Sequence, residues 1–290
     1  MLDIQITSGF RPLDQEASRY LLDTNVWSAL ATSPEAVAGF PHWLDQTGSI
    51  AGLAIFSVFE LSRASRLHDE VDGLLTSAAS RVFIPLLYDE LASLEMSNYP
   101  DDVELLWNPL SSFEEAHGVR FLSAIARDSR FVDKRQEYLE FGHSRFMNLE
   151  ALKENFPLDE YGTFSPDDAE LFAWANTLDF LLRYFPRFLL PFKGNLQAFD
   201  TKKLKSVHVR SLFLYFKYYV HGQSPTESDF MDFAHVSYLP YVDTYVTERN
   251  VLNVLTHMRS TGHEPKRCQV VHIQPFLHEV ENAAPKSISP

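Results

Sequence analysis

The sequence predicts an α/β protein: a three-layer α/β/α fold around a mostly parallel sheet, with a mainly helical insertion. Three observations predict it. Short apolar runs compatible with buried strands, at 19–23, Ser49–Phe56 and Arg81–Pro85, are each followed by a helix-compatible stretch. The same alternation returns near the C-terminus, where Asp243–Thr247 and Gln269–Ile273 flank a helical stretch from Arg249 to Arg259. The chain also has 290 residues, 45% of them hydrophobic and 22% charged, enough to bury a large soluble core. Strand alternating with helix argues for parallel pairing with both sheet faces covered.

Taken in order, residues 1–18 read as an irregular arm. The strand at 19–23 ends in Asp23-Thr24-Asn25, and a helix follows from about Val26. Pro34 and Pro41 are expected to divide the region up to Gly48 into two helical pieces. After the strand at Ser49–Phe56, Ser57 and Glu60 stand at capping-box spacing, which predicts a helix start at Ser57. The strand at Arg81–Pro85 leads to a helix from Asp89 to about Ser97. Residues 19–98 and 224–275 thus form the predicted α/β core.

Between them, residues 99–223 are rich in aromatics and proline and offer helical stretches at Glu114–Ala126, Pro166–Phe185 and Lys202–Tyr219. They read as the insertion. Thr226 and Asp229 then repeat the capping-box spacing, opening a helix that Pro240 ends. Residues 276–290 read as a tail.

Charge is strongly acidic, with 25 basic against 39 acidic residues and a net of −14. That argues against a uniformly positive nucleic-acid surface. The distribution is uneven, however. From Arg183 to Val220 there are eight basic residues, Arg183, Arg187, Lys193, Lys202, Lys203, Lys205, Arg210 and Lys217, against the single acid Asp200. Tyr88 to Ala116 is the reverse, with eight acids and no Lys or Arg. A single cysteine, Cys268, excludes an internal disulfide and a Cys-rich zinc site, as expected of a cytoplasmic protein. No apolar stretch is long and uninterrupted enough to predict a membrane span.

The candidate chemistry lies in carboxylates placed at strand edges or helix starts: Asp23, Glu60, Asp229, Asp232, Asp243 and Glu248. Converging acids repel one another, so their natural use is to hold hard cations such as Mg²⁺ or Mn²⁺. Two such ions can activate a water and stabilise the leaving oxygen of a phosphodiester. The 11 histidines show no zinc-ligand spacing, and there is no Gly-rich phosphate loop. Each acid also has a purely structural use. Asp23 can cap a helix, Glu60 and Asp229 can complete capping boxes, Asp243 can serve a turn, and Glu248 can favour a helix dipole. His235, three residues after Asp232, can pair with it or be satisfied locally.

Leu22-Asp23-Thr24-Asn25, Phe56-Ser57-Val58-Phe59-Glu60, Asp232 and Val246-Thr247-Glu248 together resemble the PIN domain, a family of metal-dependent nucleases. The resemblance implies a three-layer α/β/α sheet, bound Mg²⁺ or Mn²⁺, and cleavage of single-stranded RNA, with DNA the less favoured substrate. It assigns catalysis to Asp23, Glu60, Asp232 and Glu248, with Asp229 and Asp243 as accessory metal-site acids. Thr24, Asn25 and Thr247 would orient those groups. The basic segment 183–220 would grip phosphates and stack bases.

Small members of the family often act as toxins, so an antitoxin or other regulatory protein is an expected partner, and a homodimer an open one. Two departures stand out: the last acid is Glu248 where the family has Asp, and 169 positions separate Glu60 from Asp229. A non-catalytic interaction module with an eroded acidic site is the alternative. A haloacid-dehalogenase-type phosphatase would want a second Asp where this chain has Asn25.

Overall fold

The computed structural model describes residues 10–13, 16–110, 121–129, 131–140, 164–226, 229–263 and 267–285. The N-terminal part of the predicted Glu114–Ala126 helix lies outside them, as do 1–9 of the arm and 286–290 of the tail.

Among the described residues, seven strands form one sheet: β1 (Arg11–Pro12), β2 (Ser18–Leu22), β3 (Ser49–Gly52), β4 (Val82–Pro85), β5 (Leu106–Pro109), β6 (Thr244–Thr247) and β7 (Gln269–His272). Their spatial order is β1-β5-β4-β3-β2-β6-β7. The five strands from β4 to β7 run parallel, while β5 is antiparallel to β4, and β1 to β5. Every residue of β3, β4 and β6 is buried. That is why these strands read as continuous apolar runs rather than alternating ones.

The helices that cover the sheet fall into two groups. One contains α1 (Thr24–Thr32), α2 (Pro34–Thr47), α3 (Ile55–Leu61) and α4 (His68–Ser77). The other contains α5 (Tyr88–Asn98), α6 (Ala169–Tyr184), α7 (Lys205–Tyr215), α8 (Asp229–Val236) and α9 (Arg249–Ser260). The C-terminal helix α10 (Ile273–Asn282) joins the first group by packing on α2. In the second group, α7 is the hub, touching α5, α6, α8 and α9. Its residues Ser206–Tyr215 are all buried. A π-helical turn, Phe216–Val220, continues α7 and is closed by His221 N–H donating to the Phe216 carbonyl at 2.8 Å. No helix among the described residues is long and apolar enough to cross a membrane.

Several boundaries differ from expectation. The strand expected over Ser49–Phe56 stops at Gly52, and α3 starts at Ile55, with Ala54 as its N-cap and no side-chain capping bond. Ser57 therefore lies inside the helix and forms no capping box with Glu60, which sits in the last turn. A short apolar run has no period that marks where strand becomes helix. The break expected from Pro34 and Pro41 falls at Ser33 alone, because Pro34 opens α2 and Pro41 is accommodated within it.

The block 99–223, mainly helical where described, also supplies β5 to the sheet. The arm supplies β1 and Ser18 of β2. The expected tail begins inside α10, whose Phe276 and Val280 are buried. That contact is close: a Cβ built on Gly39 of α2 would stand 2.1 Å from the Val280 carbonyl oxygen.

Candidate functional site

In the parallel part of the sheet, β3 and β4 lie on one side of β2, and β6 and β7 on the other. The β2/β6 boundary is thus a topological switch point, where an open α/β sheet leaves a crevice at the strands' carboxyl ends. Asp23 stands there, directly after β2. It is the N-cap of α1, with its carboxylate accepting from Thr24 N at 2.7 Å. Its other oxygen accepts from the Thr247 hydroxyl, at the end of β6, also at 2.7 Å. The capping role anticipated for Asp23 is real, and the cross-strand bond from Thr247 adds to it by fixing the carboxylate at the β2/β6 switch point. At the rim, Asn25 donates to Glu248, the N-cap of α9, at 2.5 Å.

α3 brings Glu60 to the same place. The Thr24 hydroxyl bonds to Glu60 Oε2 and lies 3.2 Å from Ser57 Oγ. Ser57 Oγ is 2.8 Å from His235 Nε2, and His235 Nδ1 is 2.8 Å from the Met231 carbonyl oxygen. A carbonyl only accepts, so His235 Nδ1 carries a proton. His235 is fully buried and serves this chain of hydroxyls rather than Asp232. Burial pushes the Glu60 carboxyl above its usual range; the bond from Thr24 and the nearby His235 oppose this, and the charge of Asp23 adds to it.

The third contribution comes from α8. Burial pushes Asp232 up to about 6; Lys217 opposes the shift, while the charges of Asp23 and Asp229 reinforce it. Asp23 therefore stands within electrostatic reach of both Glu60 and Asp232, which come from distant parts of the sequence. Asp229 is different. Its two oxygens accept from Lys217 Nζ at 2.8 Å, Tyr218 OH at 2.7 Å, Thr226 N at 2.9 Å and Thr226 Oγ1 at 2.7 Å. The bond from Thr226 N is one half of the capping box foreseen from spacing; the Asp229 N–H goes to the Thr226 carbonyl instead of its hydroxyl. With four donors on it, one of them Lys217, Asp229 has no acceptor site left for an ion while that lysine is in place.

Asp243 falls out of the set. It precedes β6, and its carboxylate accepts from Arg19 N at 2.9 Å, beside the start of β2. Four residues of strand rise, about 13 Å, separate that end of the sheet from Asp23.

The basic segment divides likewise. Lys217 is 2% exposed and bonds to Asp229 and to Asp232 at 2.7 Å, so it is no phosphate contact. Arg210 is buried under the rings of Tyr88 and Phe180. Arg183, Lys202 and Lys205 pair with Asp179, Glu170 and Asp102. Arg187, Lys193 and Lys203 are exposed.

Lys217 and Ser57 are the site residues that sequence reading misplaced, whereas the local partner foreseen for His235 is present in the Met231 carbonyl. A signal for Lys217 was present: it is the only charge in the apolar run Leu212–Val220, where a lone cation implies a buried partner.

Among the described residues, no three His, Cys, Asp or Glu side chains are gathered closely enough to hold a metal ion as they stand. In donor type the residues nevertheless fit a hard cation. Glu60 Oε1, Asp232 Oδ1 and Glu248 Oε2 accept no hydrogen bond from the described residues, and side-chain rotation alone can turn such oxygens. No protein-family model, curated protein or solved structure matches this chain.

Proposed function

We propose that the chain is a PIN-like, divalent-cation-dependent nuclease acting on single-stranded RNA. The observation that carries this reading is the convergence of Glu60 and Asp232 on Asp23 at the β2/β6 switch point, with both carboxyls raised above their usual range. Crowded, desolvated carboxylates are groups whose repulsion a cation relieves. Asp23, Glu60 and Asp232 would hold the ion, with Glu248 at the rim. Bound Mg²⁺ or Mn²⁺ supplies water activation and charge neutralisation for phosphodiester hydrolysis.

The chain's own residues do the orienting. Thr247 and the Thr24 N–H fix Asp23, the Thr24 hydroxyl holds one oxygen of Glu60, and Asn25 holds Glu248. Arg187, Lys193 and Lys203 are available to phosphates. The test is cleavage of single-stranded RNA in Mg²⁺ or Mn²⁺ by the wild type and by Asp23→Asn. Cation-dependent cutting that the substitution abolishes supports the reading. No cutting of any RNA or DNA by the wild type, or full activity in the variant, removes it.

One observation favours a second reading, a non-catalytic interaction module. Lys217 already neutralises part of the acidic group, as an eroded metal site would require. Calorimetry separates the two, because only the nuclease reading expects Mn²⁺ to bind the wild type.

A further inference from the structure

We infer that the Lys217 ammonium is a resident cation, standing between Asp229 and Asp232 where a divalent ion would otherwise go. Three observations carry this. First, Nζ lies 2.8 Å from Asp229 Oδ1 and 2.7 Å from Asp232 Oδ2, bridging carboxylates one helical turn apart on α8. Second, the side chain is 2% exposed and enclosed by aromatic rings. Nζ is 5.7 Å from the Phe213 ring centroid and 5.9 Å from that of Phe233, and Tyr218 closes the far side by donating to Asp229 at 2.7 Å. Third, the residue is presented by the π-helical turn Phe216–Val220, a local departure from α geometry of the kind found at functional sites. A flexible surface lysine needs none of this.

Charge balance gives the consequence. Asp23, Glu60, Asp229 and Asp232, when ionised, face one ammonium and carry a net of about −3. One divalent ion beside Asp23 would bring this to about −1, whereas a second would turn the group positive. The site is therefore built for one divalent ion, with lysine in the second position. The expectation of an ion at Asp23 rests on the nuclease reading, while the role of Lys217 between Asp229 and Asp232 is tested separately from it.

The experiment counts bound Mn²⁺ per chain, by calorimetry and by loss of the free-ion paramagnetic resonance signal, in the full-length wild type and in Lys217→Met. The expected result is one ion in the wild type and one more in the variant, with Mn²⁺ raising the melting temperature of the variant more than that of the wild type. Equal stoichiometry in the two proteins overturns the inference, whether that number is none, one or two. No ion in the wild type but one in the variant would uphold the resident cation and remove the nuclease reading. Should Lys217→Met fail to fold in metal-free buffer, recovery of its circular dichroism in millimolar Mn²⁺ supports the inference. Failure to recover overturns it, because a divalent ion would then be unable to replace the ammonium.

Discussion

Asp23 accepts one hydrogen bond from its own helix and one from Thr247 on the neighbouring strand, so its orientation depends on a residue 224 positions away. Removing that donor should loosen the carboxylate without emptying the core. If Asp23 holds the proposed ion, Thr247→Val should weaken Mn²⁺ binding by roughly 10–100-fold, the usual effect of losing a group that orients a ligand, and titration calorimetry reads it directly. Glu95 offers a test of stability instead. It is 2% exposed, accepts from Ser206 N and Oγ at 2.7 Å each and from Tyr241, and burial outweighs these donors to push its carboxyl from 4.5 up to about 7. The folded chain thus holds this proton more tightly than the unfolded chain. The associated stability is fully present below about pH 4.5 and lost as pH rises through 7. Urea midpoints should fall over that window, and Glu95→Gln should flatten the trend. Asp23 was legible from its strand-end position, while Thr24, Asn25 and Thr247 were picked out only through the family resemblance. The partners of Lys217 were not legible, because the 12 and 15 positions that separate it from Asp229 and Asp232 are closed only by the packing of α7 on α8, and the link from His235 to Ser57 spans 178 positions.

At the level of elements, α2 and α10 meet where Gly39 has no side chain. Gly39→Ala would place a methyl 2.1 Å from the Val280 carbonyl oxygen, so the helices must separate. Overpacking of this kind costs about 1–3 kcal/mol, and equilibrium urea denaturation should show a lower midpoint with an unchanged slope. The same pair marks what sequence could not supply. Phe276 and Val280 fall one turn apart and imply an apolar stripe, but nothing local says which surface receives it. The strands β2, β4, β6 and β7 were each legible to within a residue or so, from apolar runs ending in turn or cap signals. β5 was missed because Leu106–Pro109 is four residues long, ends in proline and sits in an otherwise helical block.

Over the whole molecule the net charge is −14, and ion pairs occupy Arg183, Lys202, Lys205 and Lys217 of the basic segment. If Arg187, Lys193 and Lys203 are the phosphate contacts, single-stranded RNA affinity should fall with salt at a log–log slope of roughly −2. Replacing all three by alanine should bring that slope close to zero in fluorescence anisotropy. A slope that the substitutions leave unchanged would move the RNA path elsewhere.

The two margins of the sheet carry a different consequence. One ends in β1, two residues long with Pro12 in it, and the other in β7, four residues long. Among the described residues, an incoming strand from another molecule finds little edge backbone to pair with, and at Pro12 it finds no N–H at all. The fold is thereby guarded against stacking into fibrils, so concentrated samples should stay free of cross-β order.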